Sequence, residues 1–431
     1  VEQSIAEHVP KRIRAGTHRS RLLEQTYTHA QQYMHGMGIT RIADITGLDR
    51  IGIPVVAVMR PNGRSLSVSQ GKGRDLMAAR VSGLMEAIES WHAEHIRQPL
   101  LLGSYYELRQ SHLLLDPADL PQDGTKRWHP DLTMLWIEGV DLIGACPIWV
   151  PYDQVQCDYT PRGQALASGL ICSSNGLASG NHLQEAIVHA LWELIERDAR
   201  ALWRLRSAAD REQRRIDPAS VADPDCQALF EQFAAAGVAM ALWDLSIDTA
   251  IPVVRCQIVD REDHHHAPIA VASGYGCHAS RAIALQRACT EAAQARLTMI
   301  SGSRDDLMRR DYQRLGDPQR LTRTRQRILT MPTPWPYQAI GQSWEADTFA
   351  ADIHQTLQHL LALGIAHVVA VNLTHPTIGI PVVKMVVPGL AHTPTYLSGV
   401  VAAQPMARYK RWLMQYTQTL REPYEHEHTQ H

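Results

Sequence analysis

No apolar run in this chain approaches the ~20 residues that a membrane-spanning helix needs, which excludes a helical membrane anchor within it. The first residues, VEQSIAEHVPKRIRAG, lack the apolar centre of a signal peptide, and the chain starts at Val1, so a trimmed start is expected. The seven cysteines are scattered, with no Cys-x-x-Cys pair. That excludes a zinc knuckle and fits a reducing compartment, so a cytoplasmic protein is expected. A formal net charge of −2 leaves no polybasic footprint for nucleic acid or an acidic membrane surface. Phenylalanine is scarce, at three residues against ten tryptophans, a bias with no functional meaning we can assign. No stretch is rich enough in Pro, Gly or Ser to act as a linker. One domain over 1–431 is therefore expected, ordered from roughly 10 to 420 with a frayed tail.

What is present is organised around Ser173 to Arg200, SSNGLASGNHLQEAIVHALWELIERDAR. A Gly- and Asn-rich stretch precedes a helical pattern in which Ile187, Ala190, Leu191, Leu194 and Ile195 share a core-facing stripe. Glu185, Glu193 and Glu196 fall at spacings that share one side of a helix. A single acidic helix edge is usually a solvated face. This one has relatives: GKGRDLMAARVSGLMEAIESWHAEH from Gly71, with Glu86 and Glu89, and SGYGCHASRAIALQRACTEAAQARL from Ser273, with Glu291 and Gln294. A Gly turn followed by a helix bearing E-x-x-E, E-x-x-E and E-x-x-Q thus occurs three times. The period is too long for a solenoid, and three related units around a shared site are expected.

Between these units the pattern mixes helices and strands, which predicts an α+β (mixed α/β) fold. Thr17 is a candidate N-cap for a first helix stopped near Gly36 and Gly38. Arg14, Arg19 and Arg21 cluster there, either as an exposed basic turn or as an arm that reaches a phosphate. ITRIADITGLD, IPVVAVMRP and RSLSVSQ read as strands, the last with Leu66 and Val68 on one face. LLLGSYYELRQSHLL reads as a helix, and LTMLWIEGVDLIG with CPIWVPYDQV as a hairpin-like pair around Gly144. CQALFEQFAAAGV is a helix pattern, followed by strands MALWDLS and IPVVRCQIVD. The His264–His266 run reads as a loop tip rather than a metal site, because three adjacent His cannot all bind one ion from a strand. Helix–strand–strand follows over DTFAADIHQTLQHLLALGI, HVVAVNLT and IPVVKMVVPGL, then a short amphipathic helix, MARYKRWLMQY.

Five carboxylates converging on one site repel one another strongly. Two unit charges ~4 Å apart cost ~4 kcal/mol at an effective dielectric near 20. Hard oxygen donors without His or Cys select Mg²⁺ or Ca²⁺. Mg²⁺ takes one or two carboxylates and fills its shell with water and phosphate oxygens, so Glu86, Glu89, Glu185, Glu193 and Glu196 point to Mg²⁺ with a nucleotide. The Gly turns beside helix N-termini offer N–H groups to phosphate, and Arg19, Lys72 and Arg197 add positive charge. The site is not a P-loop: Gly71–Gly73 lacks the earlier Gly and the Ser/Thr after the Lys. Kinase signatures are absent as well.

The residues that carry this pattern resemble the YcaO family over nearly the whole chain. The matching stretches are Arg19 with Thr26, SQGKG…SGLMEAIE, SSNGLASGN…EAIVHALWELIERDA and IPVVKMVVPGL. The resemblance implies a YcaO-type fold and an ATP- and Mg²⁺-dependent enzyme that activates peptide backbone amides. It implies Mg²⁺ ligands at Glu86, Glu89, Glu193 and Glu196, with Glu185 in the same cluster. Glu193, Glu196 and Arg197 would carry the catalytic roles. Arg19, Thr26, Asn181 and Arg197 fall at nucleotide-contacting positions, joined by Lys72, Ser82 and Glu185. A later Arg is expected on phosphate, with Arg296 and Arg304 as candidates. Three positions depart from the family pattern: Ser90 where an Arg often follows the first E-x-x-E, His189 where Gln is usual, and Ala178 where Ser is usual. His189 is kept among the cofactor-binding positions.

In the family the activated amide is attacked by a side chain, giving an azoline, by external sulfide, giving a thioamide, or by an amine. The tail EPYEHEHTQH lacks the Pro-rich end common in azoline formers. The segment LDRIGIPV…RPNGRSLSVSQGKG resembles the YcaO proteins associated with TfuA, which implies thioamide formation and a separate TfuA-type partner. A homodimer is also plausible from the resemblance. An azoline-forming cyclodehydratase and a catalytically idle peptide-binding scaffold are the competing readings. Cys172 reads as a small buried residue rather than a sulfur relay.

Overall fold

The computed structural model describes residues 7–391 except 15, 123–127, 162–167 and 263–270, together with Met414. The His264–His266 run and nearly all of the MARYKRWLMQY segment lie outside the described residues.

The architecture is mixed α and β, as the pattern predicts. Strands β1 (Arg41–Asp44), β2 (Val55–Met59) and β3 (Val68–Lys72) form one antiparallel sheet. Strands β8 (Val238–Asp244), β9 (Val253–Asp260) and β10 (Val271–Cys277) form a second. Between them in sequence lie β4 (Leu100–Gly103), β5 (Met134–Asp141), β6 (Cys146–Pro151) and β7 (Leu177–Ser179). With β11 (Val369–Asn372) and β12 (Val382–Val386) they make a six-stranded sheet, ordered β4-β5-β11-β12-β7, with β6 on β5. The β11, β12 and β7 strands of this sheet are buried on both faces. Along β12, Val383 and Met385 enter one core while Val382 and Val386 enter another, the period-two alternation of a strand.

Each of three strands runs into one acidic helix: β3 into α1 (Leu76–Glu94), β7 into α2 (Leu183–Trp203) and β10 into α3 (Arg281–Ser301). The Asp75 carboxylate caps α1 by accepting from the Ala78 N–H at 2.7 Å. His182 Nδ1 caps α2 through the Gln184 N–H at 3.2 Å. Gly302, in the left-handed region at φ 59°, ends α3. Each helix stripe enters its own core: Leu84, Ala87 and Ile88 on α1, Ile187, Leu191 and Ile195 on α2, and Leu285, Ala288 and Ala292 on α3.

Four expectations are corrected here. The Gly-rich stretches ahead of α1 and α3 are not turns. Gly71 lies in β3 and Gly276 in β10, and each strand packs directly on the helix that follows. A Cβ on Gly71 would sit 2.0 Å from the Ala79 carbonyl oxygen, and one on Gly276 would sit 2.1 Å from that of Ala284. Both glycines are eight residues ahead of the carbonyl they meet, so the same close approach is built twice. LLLGSYYELRQSHLL is not one helix but β4 and a single turn, Tyr105–Leu108, opened by a capping box between Ser104 and Glu107. Thr17 is not an N-cap. The first described helix is Leu23–Ala30, and Thr17 belongs to an arm that crosses a cleft. Finally, the strand read from RSLSVSQ begins only at Val68.

That arm is tied down at several points. Lys11 Nζ pairs with Asp352 at 2.5 Å, both side chains fully buried, and Arg14 pairs with Asp347 at 2.7 Å. Ile13 and Arg19 bridge to each other across the turn.

Candidate functional site

The arm, α1, α2 and α3 enclose a cleft of about 460 Å³, within the ~300–1,000 Å³ usual for small-molecule sites. Glu86, Glu89 and Ser82 face it from α1, Glu185 and His189 from α2, and Arg287 and Thr290 from α3. Arg19 and Thr26 close it from the arm and the first helix, and Lys72 from the end of β3. A recess of about 280 Å³ shares Thr26, Met85, Gly180 and Asn181 with the cleft and adds Arg21.

Glu185 holds the arm over the cleft. It is 2% exposed and accepts from Ser20 Oγ at 2.8 Å and the Ser20 N–H at 3.1 Å. Arg19 Nε lies 3.5 Å from its other oxygen, and Asn181 Nδ2 donates to that oxygen at 3.2 Å. Asn181 Oδ1 in turn accepts from Thr26 Oγ1 at 2.8 Å. Arg19, Glu185, Asn181 and Thr26, four expected nucleotide-site residues, are thus linked by one ion pair and two hydrogen bonds. Arg19 is therefore not on a free basic turn: it lines the cleft on an arm held by Glu185.

Glu86 and Glu89 line the same cleft, and Glu193 and Glu196 act on them or on Glu291 through space. Glu89 accepts from the Ser179 N–H at 2.8 Å and its Oγ at 2.7 Å. Even so, desolvation by the surrounding protein, with Glu86 and Glu193 nearby, pushes its carboxyl up to about 8. Desolvation and the Glu291 charge push Glu196 up to about 7. Glu86 opens onto the cleft, yet its walls strip enough water to raise it to about 6 against the pull of Arg304 and Lys72. Glu193 is raised by desolvation too, although Arg197 NH2 lies 3.5 Å from it along the helix. Glu291 goes the other way. Burial opposes ionisation, but Lys72 Nζ at 2.7 Å outweighs it and holds the carboxyl below its usual range. His189 is kept neutral, because burial and the charges of Arg287, Arg19 and Lys72 all disfavour the imidazolium.

The clustered carboxylates offer only hard oxygen donors, so their chemistry fits Mg²⁺. Among the described residues no three His, Cys, Asp or Glu side chains form a ready-made metal cage. A Mg²⁺ ion that takes one or two carboxylates and completes its shell with water and phosphate oxygens needs none.

Two expected residues are placed elsewhere or only nearby. Arg296 is 3% exposed and belongs to a structural network, with Nε 2.9 Å from Asp49 and NH1 2.7 Å from Asp260. It does not line the cleft, because its turn of α3 faces β9 and the Asp49 loop. Arg304 forks onto Asp306 at 2.5 and 2.8 Å and reaches Glu86 only through its field. The expected site residues omitted Arg287, and they left out Glu291 although the third motif contains it. The signal for Arg287 was in the repeat: Ser82, His189 and Arg287 each stand four residues ahead of the first Glu of their motif, and all three line the cleft.

Residues 70–391 match the family model described as YcaO cyclodehydratase, ATP- and Mg²⁺-binding. A protein of the tfuA 3′ region of Rhizobium leguminosarum bv. trifolii is 36% identical over 379 residues, spanning 85% of this chain and 87% of its own length. A Methanothermobacter thermautotrophicus protein is 35% identical over 356 residues, 82% of this chain and 90% of its own. Among solved structures, YcaO from Methanopyrus kandleri bound with AMPPCP and Mg²⁺ is similar with a TM-score of 0.70 at 20% identity, over 89% of this chain and 95% of that one. A heterocyclase in complex with substrate and cofactor gives 0.71 at 23% identity over 90% of this chain, which spans about half (54%) of that longer protein. With its three strand–helix units, its acidic cleft and a family match covering most of its length, the chain belongs to the YcaO family of ATP- and Mg²⁺-binding proteins.

Proposed function

We propose that this protein uses ATP and Mg²⁺ to activate a backbone amide of a peptide or protein, and that an external sulfur nucleophile then converts the amide to a thioamide. The observation that carries the ATP-dependent step is the group of desolvated carboxylates shared between α1 and α2 beside a cation-lined cleft. Glu86, Glu89, Glu193 and Glu196 would hold Mg²⁺. Bound Mg·ATP supplies the phosphoryl group that makes the amide oxygen a leaving group, with the metal offsetting phosphate charge.

The chain's own residues orient that nucleotide. Glu185 fixes Arg19 and Asn181, so that neither must reorganise when phosphate arrives. Lys72, held by Glu291 at the cleft edge, and Arg287 supply positive charge toward the phosphates. Arg287 thus takes the part expected of a later arginine. His189, kept neutral, offers a hydrogen-bonding ring without adding charge.

Sulfur rather than a substrate side chain is favoured as nucleophile by the likeness to a protein of a tfuA 3′ region. That likeness also supports a TfuA-type partner. An idle scaffold is disfavoured because clustered carboxylates are costly to a protein that only binds peptide. The test is a reaction with Mg·ATP, candidate precursor peptides, sulfide and the TfuA-type partner, read by peptide mass. Replacement of oxygen by sulfur supports the proposal. Loss of water would replace it with azoline formation. Neither product, with no ADP released, would return the chain to the scaffold reading.

A further inference from the structure

The recess beside the cleft, about 280 Å³, has no part in the nucleotide chemistry above. Thr26, Met85, Gly180 and Asn181 line both spaces and so form the boundary between them. Met85 precedes Glu86 on α1, and Gly180 follows Ser179, whose N–H and hydroxyl hold Glu89 at 2.8 and 2.7 Å. The recess therefore joins the cleft beside two of the carboxylates proposed to hold Mg²⁺.

Its walls differ in chemistry from those of the cleft. Beyond the boundary it is lined by Ala30, from the first helix, and by Ile378, Ile380 and Pro381, from the connection between β11 and β12. Ala30 and Ile380 are buried, so the wall they form is held by close packing. The polar groups at the boundary are already committed: Thr26 Oγ1 donates to Asn181 Oδ1 at 2.8 Å, and Asn181 Nδ2 to Glu185 at 3.2 Å. Arg21 brings the one permanent charge to the lining; it is exposed and has no acidic partner among the described residues. His29 is half-buried, with its ring edge-on to Tyr33. The volume is just under the ~300 Å³ at which small-molecule sites begin, a size that suits one side chain of a longer ligand.

We propose that this recess is a specificity subsite for the substrate peptide: it takes a large apolar side chain from a residue beside the amide to be activated, in a segment that also carries an acidic side chain for Arg21. This rests on the amide-activation reading above. A peptide with one side chain in the recess keeps the neighbouring backbone at Gly180 and Asn181, on the boundary with the cleft. Burial of the apolar side chain supplies the affinity. The exposed Arg21 pair adds orientation more than affinity. With Thr26 and Asn181 already bonded to each other, a polar side chain seated there would lose its water for little in return.

The test uses the full chain loaded with AMPPCP and Mg²⁺, and the capped tetrapeptide acetyl-Gly-Leu-Gly-Asp-amide. Its counterparts carry Gly in place of Leu or Lys in place of Asp. Saturation-transfer NMR reads the contact and, by titration, the dissociation constant. Transfer should be strongest at the Leu methyls. Binding should weaken at least about tenfold with Gly for Leu and about threefold with Lys for Asp. Ile378→Trp, which fills the recess from a half-buried wall position, should bind the Leu peptide no better than its Gly counterpart. Arg21→Gln should bind the Asp and Lys peptides alike. AMPPCP affinity should be unchanged in Ile378→Trp; a loss there would give the recess to the nucleotide and overturn the subsite. Equal binding of the three peptides, no binding of any of them to the wild type, or unaltered binding in both variants would overturn it as well. Should Ile378→Trp fail to fold, the wild-type comparison and Arg21→Gln still decide. Peptide bound as expected, with ATP never consumed in its presence, would support the recess as a peptide site and overturn the amide-activation reading instead.

Discussion

Binding of Mg²⁺ and nucleotide should expel protons from the glutamate cluster. Desolvation and mutual repulsion hold Glu89 at about 8, Glu196 at about 7 and Glu86 at about 6. At pH 7, groups with those values are roughly nine-tenths, half and one-tenth protonated. A metal ion accepts only the ionised carboxylate, so between one and two protons should leave on binding. The sign is fixed by the direction of the shifts: raised carboxyls keep protons in the free protein, so affinity must strengthen as pH rises from about 6 to about 8. Calorimetry of AMPPCP with Mg²⁺ at pH 7, in buffers of different ionisation enthalpy, counts the protons. Subtracting the same titration of Glu89→Gln removes protons released by the nucleotide and isolates nearly one that belongs to Glu89. Equal proton release in the two proteins, or an affinity flat from pH 6 to 8, would refute the electrostatic reading of the cluster.

Gly71→Ala should destabilise the protein by at least about 1–3 kcal/mol, because its Cβ would meet helix backbone at 2.0 and 2.2 Å rather than a movable side chain; an unchanged denaturation midpoint would contradict the packing. Lys11→Met should cost about 3–5 kcal/mol by stranding Asp352 in the core, where Trp344 Nε1 at 3.0 Å is its other partner, and Lys11→Met with Asp352→Leu should recover much of the loss in chemical denaturation. Burial holds His18 down at about 3 and His92 at about 4, against 6.5 for a free imidazole. At these two sites the unfolded chain binds protons that the folded chain refuses, a contribution that lowers stability as pH falls below 6.5, whereas the raised Glu86, Glu89 and Glu196 carboxyls act in the opposite sense over the same range. Thermal melts of the wild type and His92→Phe between pH 7.5 and 5 separate the two, and an identical pH dependence in both proteins would refute the His92 contribution.

Much of the site was legible because the sequence repeats a spacing. The recurrence of E-x-x-E placed Glu86, Glu89, Glu193 and Glu196 on helices that do converge. The acidic pair of the third motif does not mark Arg287, which stands four residues ahead of Glu291. Arg296 misled because a buried Arg and a phosphate-binding Arg look alike in sequence, and only the fold reveals Asp49 and Asp260 beside it. The glycines were legible as special but not as strand residues, since both a turn and a close helix–strand contact demand a missing side chain. The β4 segment failed for a similar reason: a four-residue strand and one helical turn together mimic the apolar spacing of a longer helix.

The most direct test of the central claim needs no substrate. AMPPCP binding should be measured by calorimetry with and without Mg²⁺, for the wild type and for Glu86→Gln and Glu193→Gln. Binding that requires Mg²⁺, and that weakens more than about tenfold (~1.4 kcal/mol) in both variants while their melting temperatures hold, is the predicted result. Binding that is indifferent to Mg²⁺, or unaltered in both variants, would contradict a nucleotide site built on the facing glutamates of α1 and α2.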